Sequence, residues 1–438
     1  MFTLGIDNII IVSKNFDYVP FRGSVCVQDE LIAEVRRGPV STDECAEWID
    51  GKGGILMPGL VNCHCHGDMT LARGFGDDMT LWEQNKAFSS HNWFYEYISD
   101  DDRFYARQLT YCEALLAGTT FICENMYWSL GGRSIQAMKE TGIKGALVED
   151  VRLDFAAPDS FVSKQVLRDF SAECREADLV PVIGLPAEED YETGRLRAIF
   201  DLIEDIDALQ TLHLAENQWR VDIIQKKYGM SPIAYLMHNG FLNDRMIGSH
   251  VVYAGMDEIQ MLKTSKVKVA NTPLCEMKIA DGAAPVPAMV SQGLSVGLGT
   301  DGALWNNSND IFREMKGMAL LHTLNKGIRS ISKKNILDMA GSGGAAVFGK
   351  ESEFGMIREG MKADMILIDT DKPHLQPLIL GAHENVTSAI VFSATGADVT
   401  DVFVNGKRLV RNGELTTVDL PTLIKRVRQT AEKIADKW

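Results

Sequence analysis

The chain has 438 residues, of which 45% are hydrophobic and 24% charged; this is ample for a large core and too long for one average domain. A formal net charge of -16 excludes a general nucleic-acid binder, which needs a basic face for phosphates. No stretch approaches the roughly 18–20 uninterrupted apolar residues of a membrane span, so no membrane partner is expected.

The first 55 residues read as short strands: an apolar run from Asn8 to Val12, a second from Gly23 to Val27 and a third from Leu31 to Val35, separated by Gly, Asp and Asn. Residues 56–353 change pattern, with short apolar strands alternating with longer amphipathic segments. The strands are expected at Gly59–Asn62, Thr119–Cys123, Lys144–Leu147, Leu179–Ile183, Thr211–His213, Ile247–Val252, Lys268–Val269 and Ser295–Gly299. Helical spacing lies between most of them, as at Phe104–Leu116 and Ser308–Leu324. Eight strands alternating with helices predict an α/β fold, a (β/α)8 TIM-type barrel with its site at the strand C-termini. Residues 354–438 return to strand-like runs at Ala363–Asp369, Thr387–Phe392 and Val402–Lys407, with Asn405-Gly406 as a hairpin turn. A terminal helix from Leu420 to Lys437 shows Leu423, Val427 and Ala431 at helical spacing. Both chain ends then build one small discontinuous β-sandwich domain.

The start, Met1-Phe2-Thr3-Leu4-Gly5-Ile6-Asp7, lacks the basic residues and apolar run of a signal peptide. The eight cysteines are scattered and show no paired framework, so they are expected as reduced thiols in a cytoplasmic protein. Cys63 and Cys65 alternate with His64 and His66, which on a strand places thiols and imidazoles on opposite faces.

Two histidines at i and i+2 on a strand end, His64 and His66, point the same way and can share one metal ion. His213 ends another expected strand, and Glu216 follows three residues later, within reach of a water bound there. His250 closes Met246-Ile247-Gly248-Ser249-His250, and Asp301 follows Val296-Gly297-Leu298-Gly299-Thr300. Each residue alone also fits a structural role: a core histidine, a carboxylate at a helix start, or an aspartate capping a turn. Together, four histidines and one aspartate fall at the C-terminal ends of four expected strands, and in a parallel barrel those ends meet at one mouth. Water-activating sites use such mixed His and carboxylate ligands.

The run Met57-Pro58-Gly59-Leu60-Val61-Asn62-Cys63-His64-Cys65-His66, with Met69–Gly74, His213-Leu214-Ala215-Glu216, Ala283–Pro287, Gly297–Ala303, Asn306-Asn307-Ser308 and Gly360–Asp364, resembles the amidohydrolase superfamily over nearly the whole chain. Within it the chain is similar to the aminohydrolase branch of S-adenosylhomocysteine/5'-methylthioadenosine deaminases, guanine deaminase and triazine hydrolases. The resemblance implies that His64, His66, His213 and Asp301 bind one divalent metal ion, zinc first and iron as the alternative. It implies that His250 orients the attacking water, that Glu216 carries a proton from water to the substrate's ring nitrogen, and that Asp301 accepts a water proton. Two-metal relatives use a lysine on the fourth strand, and Leu179–Leu185 has none, so one metal is expected.

The chain departs from the branch in loops that would line the substrate. Gly184–Tyr191 lacks the usual histidine; Cys275-Glu276-Met277-Lys278-Ile279 replaces Ser-Asn-Leu-Lys-Leu; Trp305 stands where serine is common; and Asn125-Met126, preceded by Glu124, replaces Asp-Met. Trp82 and Trp305 are candidates for stacking on a planar ring, and Glu276 for pairing with substrate amino groups or ribose hydroxyls. Glu188 reads as a solvated loop acid, and His91, His238, His322, His374 and His383 as structural or surface residues. The expected function is hydrolytic deamination of an amino-substituted, purine-, nucleoside- or pterin-like heterocycle, with water attacking the ring carbon and ammonia leaving. The alternatives are displacement of chloride or alkylamine from a triazine-like ring, cleavage of an amide or guanidine-type C–N bond, or a non-catalytic scaffold. The resemblance also implies a homodimer, which no residue pattern here shows.

Overall fold

The computed structural model describes residues 1–88, 97–125, 131–152 and 160–435; His91, Met126 and Lys437, named above, lie outside them. Eight strands follow one another in sequence order in a single parallel sheet: Leu60–Cys65, Thr119–Asn125, Lys144–Asp150, Val180–Gly184, Leu209–Leu214, Met246–His250, Lys268–Asn271 and Val296–Leu298. Every strand of the barrel was expected from the sequence. They read as continuous apolar runs because both faces are covered, and several are buried along their whole length. Some run past their expected ends. The third strand runs on from Leu147 through Val148 and closes with two buried acids, Glu149 and Asp150, whose polarity hides the strand end from an apolar pattern.

The barrel meets itself between its last and first strands. Backbone N–H groups of Thr300 and Asp301 both donate to the carbonyl of His64, at 3.0 and 2.9 Å. Gly299 permits this approach: a Cβ there would lie 2.8 Å from the His64 backbone nitrogen. The same seam brings Asp301 beside the histidine pair.

The chain ends form a nine-stranded sheet. Phe2–Ile11 pairs in parallel with Cys45–Asp50 and Ile55–Pro58, and antiparallel with Phe21–Gln28. Ile55–Pro58 pairs antiparallel with Met365–Ile368, which joins the N-terminal strands to Val399–Val404 and Lys407–Arg411. Ile6, Ile11, Val25, Val27, Leu367 and Phe403 pack in its core. The hairpin at Asn405-Gly406 is present, with φ of 49° and 74°. The expected strand at Thr387–Phe392 is a helix, Val386–Phe392. The run is too short for apolar periodicity to separate the two states, and Glu384 decides the matter by accepting from the Thr387 N–H and hydroxyl at the helix start. The terminal helix spans Leu420–Ala435 and buries Leu423, Val427, Thr430 and Ile434.

Two compact units divide the chain. One holds Met1–Asn62, Cys112–Phe121 and Asp310–Asp419; the other holds Cys63–Tyr111, Ile122–Asn309 and the terminal helix. All residues of the candidate site lie in the second. No helix among the described residues is long and apolar enough to cross a membrane.

Candidate metal centre and active site

His64 sits in the first barrel strand, His66 one residue beyond it, His213 in the fifth, His250 at the end of the sixth, and Asp301 three residues past the eighth. The parallel register sets His213 opposite Ser249 and Leu214 opposite His250, so His250 stands one residue beyond the level of His213. The His64 ring lies 4.9 Å from that of His66, 5.1 Å from His213 and 5.2 Å from His250. His213 stacks on His66 at 5.5 Å and on His250 at 5.4 Å. Nε2 of His64 and of His66 lie 3.7 and 3.6 Å from Asp301 Oδ1.

The backbone is strained at these strand ends. Ala215, His250, Val251 and Asp301 all adopt positive φ, between 47° and 69°. For a β-branched residue such as Val251 this conformation is costly, and its N–H is held by the carbonyls of Leu214 and Ser249. These positive-φ residues lie at the ends of the fifth, sixth and eighth strands, at or beside His213, His250 and Asp301.

The donor set suits a divalent ion. His66 Nδ1 lies 3.1 Å from the Asn125 carbonyl, which can only accept, so the proton resides on Nδ1 and the Nε2 lone pair faces Asp301. His64 Nδ1 sits between the Asn125 amide at 2.9 Å and the Ser249 hydroxyl at 3.0 Å. One ligand atom from each of His64, His66 and Asp301 lies within 4.8 Å of the others, as do those of His64, His213 and His250. Burial and neighbouring imidazoles hold His64 and His213 well below the usual histidine range, and burial lowers His66. Neutral imidazoles are what ligation requires.

His250 differs from the other three rings. Burial alone would lower it, but Glu216, Glu276 and Asp301 outweigh that and raise it to about 9. Its Nε2 faces Glu216 Oε1 at 3.7 Å, while Nδ1 contacts the Thr272 hydroxyl at 2.9 Å and Glu276 Oε1 at 3.8 Å. Glu216 is 3% exposed, and its Oε2 accepts from Arg220. Asp301 is held on both oxygens: Gly302 N–H donates to Oδ1 at 2.6 Å and the Cys275 thiol to Oδ2 at 2.9 Å.

The residues singled out for substrate are placed as follows. Trp305 is half-buried, its ring centroid 5.3 Å from that of His66 in an edge-to-face arrangement. Trp82 is exposed, 5.2 Å from the Trp219 ring and under Lys86. Glu276 is fully buried; Oε1 accepts from Asn271 Nδ2 at 2.6 Å and Thr272 N–H at 3.2 Å, while Oε2 has no hydrogen-bond partner. The expectation of a solvated Glu188 is corrected. The residue is wholly buried because the turn after the fourth strand folds inward, where Glu188 accepts from the Ala215 N–H.

Sequence reasoning missed the supports: Ser249, Thr272, Arg220, and a buried ion network of Asp68, Arg107 and Glu124. Only Arg220 left a readable signal, its i,i+4 spacing from Glu216.

A model of the amidohydrolase family matches residues 55–409. The chain is 31% identical to a 5-methylthioadenosine/S-adenosylhomocysteine deaminase of Desulforudis audaxviator, covering 97% of this chain and 99% of that protein. It is 33% identical to a 5'-deoxyadenosine deaminase of Methanopyrus kandleri, covering 90% of each. An adenosine deaminase from Xanthomonas campestris with bound zinc superposes with a TM-score of 0.88 at 25% identity, over 99% of both chains. On these matches over most of its length, the chain belongs to the amidohydrolase family of metal-dependent hydrolases.

Proposed function

We propose that this enzyme is a hydrolytic deaminase that replaces the ring amino group of a purine-like nucleoside with the oxygen of water and releases ammonia. The observation that carries the reading is the placement of Glu216, 3.7 Å from His250, beside the His64–His66–Asp301 donor set, in a chain similar to three named deaminases. His64, His66, His213 and Asp301 hold one divalent ion, with zinc supported by the Xanthomonas structure. The ion supplies activation of water, lowering its pKa toward neutrality.

The chain's own residues do the rest. Asp301 takes one proton from the attacking water. Glu216 takes another on Oε1 and passes it to the ring nitrogen next to the amino-bearing carbon, which makes that carbon electrophilic. The proton held by Asp301 goes to the departing amine, so both water protons are used, both carboxylates are restored, and the amino-bearing carbon becomes a ring carbonyl as ammonia leaves. His250, whose Nε2 faces Glu216 Oε1, orients the incoming oxygen and fixes its line of approach. Trp305 and Trp82 contact the planar ring, and Glu276 is the third residue we assign to substrate.

We also read the enzyme as cytoplasmic, supported by eight buried free thiols, and as a homodimer, which sedimentation would check. The deciding experiment is ammonia release by the zinc-loaded protein from 5'-deoxyadenosine, 5'-methylthioadenosine, S-adenosylhomocysteine, adenosine and guanine. Glu216→Gln serves as the blank and should keep fold and metal while turnover falls on the order of 10²- to 10⁴-fold. Undiminished turnover in that variant rejects the proton-carrying role; no ammonia from any compound rejects the substrate class.

A further inference from the structure

The carboxylate assigned to carry the proton does not stand alone. Arg220 Nη1 donates to Glu216 Oε2, and the other edge of the same guanidinium grips Glu189 in a fork: Nε to Oε2 at 2.9 Å and Nη2 to Oε1 at 2.8 Å. We propose that Arg220, anchored by Glu189, is a positioning residue that pins one oxygen of Glu216 so that the other faces His250 and the reacting water. The proposal rests on the reading of Glu216 given above.

Several features hold this arrangement in place. Glu216 and Arg220 flank Asn217, whose side chain accepts from the Arg220 N–H at 3.2 Å and starts the helix Gln218–Tyr228. Arg220 therefore leaves a rigid first helical turn and is 8% exposed. Glu189 belongs to the short turn Glu188–Asp190 after the fourth barrel strand. The neighbouring Glu188, buried, accepts from the N–H of Ala215, the residue with φ 47° just before Glu216. Two consecutive acids of one turn thus grip both ends of the 215–220 segment, one by its backbone and one by its guanidinium. This is the turn in which the chain lacks the histidine seen in the branch it resembles. Here the loop builds a mount for the proton carrier.

The chemistry requires such a mount. A proton-shuttling carboxylate must present one oxygen to water and then to the ring nitrogen without rotating away. With Oε2 fixed on Nη1, the proton enters and leaves at Oε1 while Arg220 keeps all of its own protons. A guanidinium suits the task because its two edges can serve two carboxylates at once, which a lysine ammonium on a flexible stem cannot.

The test combines kinetics on 5'-deoxyadenosine with crystallography of the zinc-loaded protein. Arg220→Gln should lower kcat on the order of 10- to 100-fold with KM and bound zinc nearly unchanged, and Arg220→Lys should recover part of the loss. In the Glu216→Gln background, Arg220→Gln should cost nothing further, because the residue acts through Glu216. The same factor lost in both backgrounds overturns the proposal. So does a crystal structure of Arg220→Gln with Glu216 still in place, and this readout needs no turnover. If Arg220→Gln does not fold, Glu189→Gln replaces it: a smaller loss that vanishes in the Glu216→Gln background supports the proposal, and an additive loss overturns it. Full turnover by Glu216→Gln itself rejects the proton-carrying role, a result separate from where Glu216 lies in the Arg220→Gln crystal.

Discussion

The side-chain amide of Asn125 lies 2.9 Å from Nδ1 of His64, and the carbonyl of the same residue lies 3.1 Å from Nδ1 of His66. One residue at the end of the second strand therefore orients both imidazoles of the first. If His64 coordinates through Nε2, its Nδ1 carries the proton, and Asn125 must present its amide oxygen or leave acceptance to Ser249. Asn125→Ala is expected to weaken zinc binding roughly 10- to 100-fold, whereas Asn125→Asp, with an acceptor on both oxygens, should bind at least as tightly as the native chain. Competition with a chromophoric chelator reads both values. Equal affinity in the alanine variant would show that Ser249 alone suffices.

Asp301 is held in a left-handed conformation, φ 61°, with Gly302 N–H and the Cys275 thiol each on one oxygen. It spans the space between both histidines and the seam that closes the barrel. Asp301→Ala should fall below one bound zinc per chain after dialysis against a chelator and lose turnover with it. Retention of stoichiometric metal and activity would remove the residue from the centre. Cys275→Ser, which keeps a donor of similar reach, should retain both.

Beneath the histidine pair lies an ion network with no exposed member. Arg107 donates to Glu124 Oε1 at 3.2 Å and to Asp68 Oδ2 at 3.1 Å, and Glu124 accepts from the N–H of Gly67, the residue after His66. Burial pushes Glu124 up to about 7, with Arg107 opposing. Removing Arg107 takes the cation from the buried Glu124, while Asp68 keeps Arg103 at 3.4 Å. Arg107→Met is expected to cost about 3–5 kcal/mol, measured by denaturant unfolding of the zinc-loaded protein. A loss below about 1 kcal/mol would mean that the carboxyls take up protons and need no cation.

The barrel was legible because each strand is a short apolar run bounded by turns, and His64, His66, His213, His250 and Asp301 were legible because they stand at the ends of such runs. What holds those side chains was not. Asn125 to His64, Glu188 to Ala215 and Arg107 to Asp68 are separated by 61, 27 and 39 residues, and single-sequence spacing carries no sign of such pairs. Glu188 looked like a loop acid because its burial depends on a turn folding back beneath the fifth strand. Thr387–Phe392 was misread for the opposite reason. Its six residues are mostly apolar and buried on more than one side, so neither the strand nor the helix period appears.

His322, read from the sequence as structural or surface, gives a pH prediction away from the metal. It is 2% exposed, its Nε2 has no hydrogen-bond partner, and burial followed by the Lys326 charge lowers its pKa to about 4. The unfolded chain takes a proton near the ordinary value of 6.5, whereas the folded chain refuses it until about 4. Between those pH values the unfolded state binds more protons, so stability rises with pH there. The contribution is complete above 6.5 and is lost as pH falls toward 4. With solvent screening included, it amounts to on the order of 2 kcal/mol. His322→Gln lacks the titrating group. Its unfolding free energy should therefore fall less than that of the native chain between pH 7 and pH 4.5, and loss of metal on acidification affects both alike. Parallel curves would show that the imidazole charges in the folded protein, through a local opening that the buried position does not reveal.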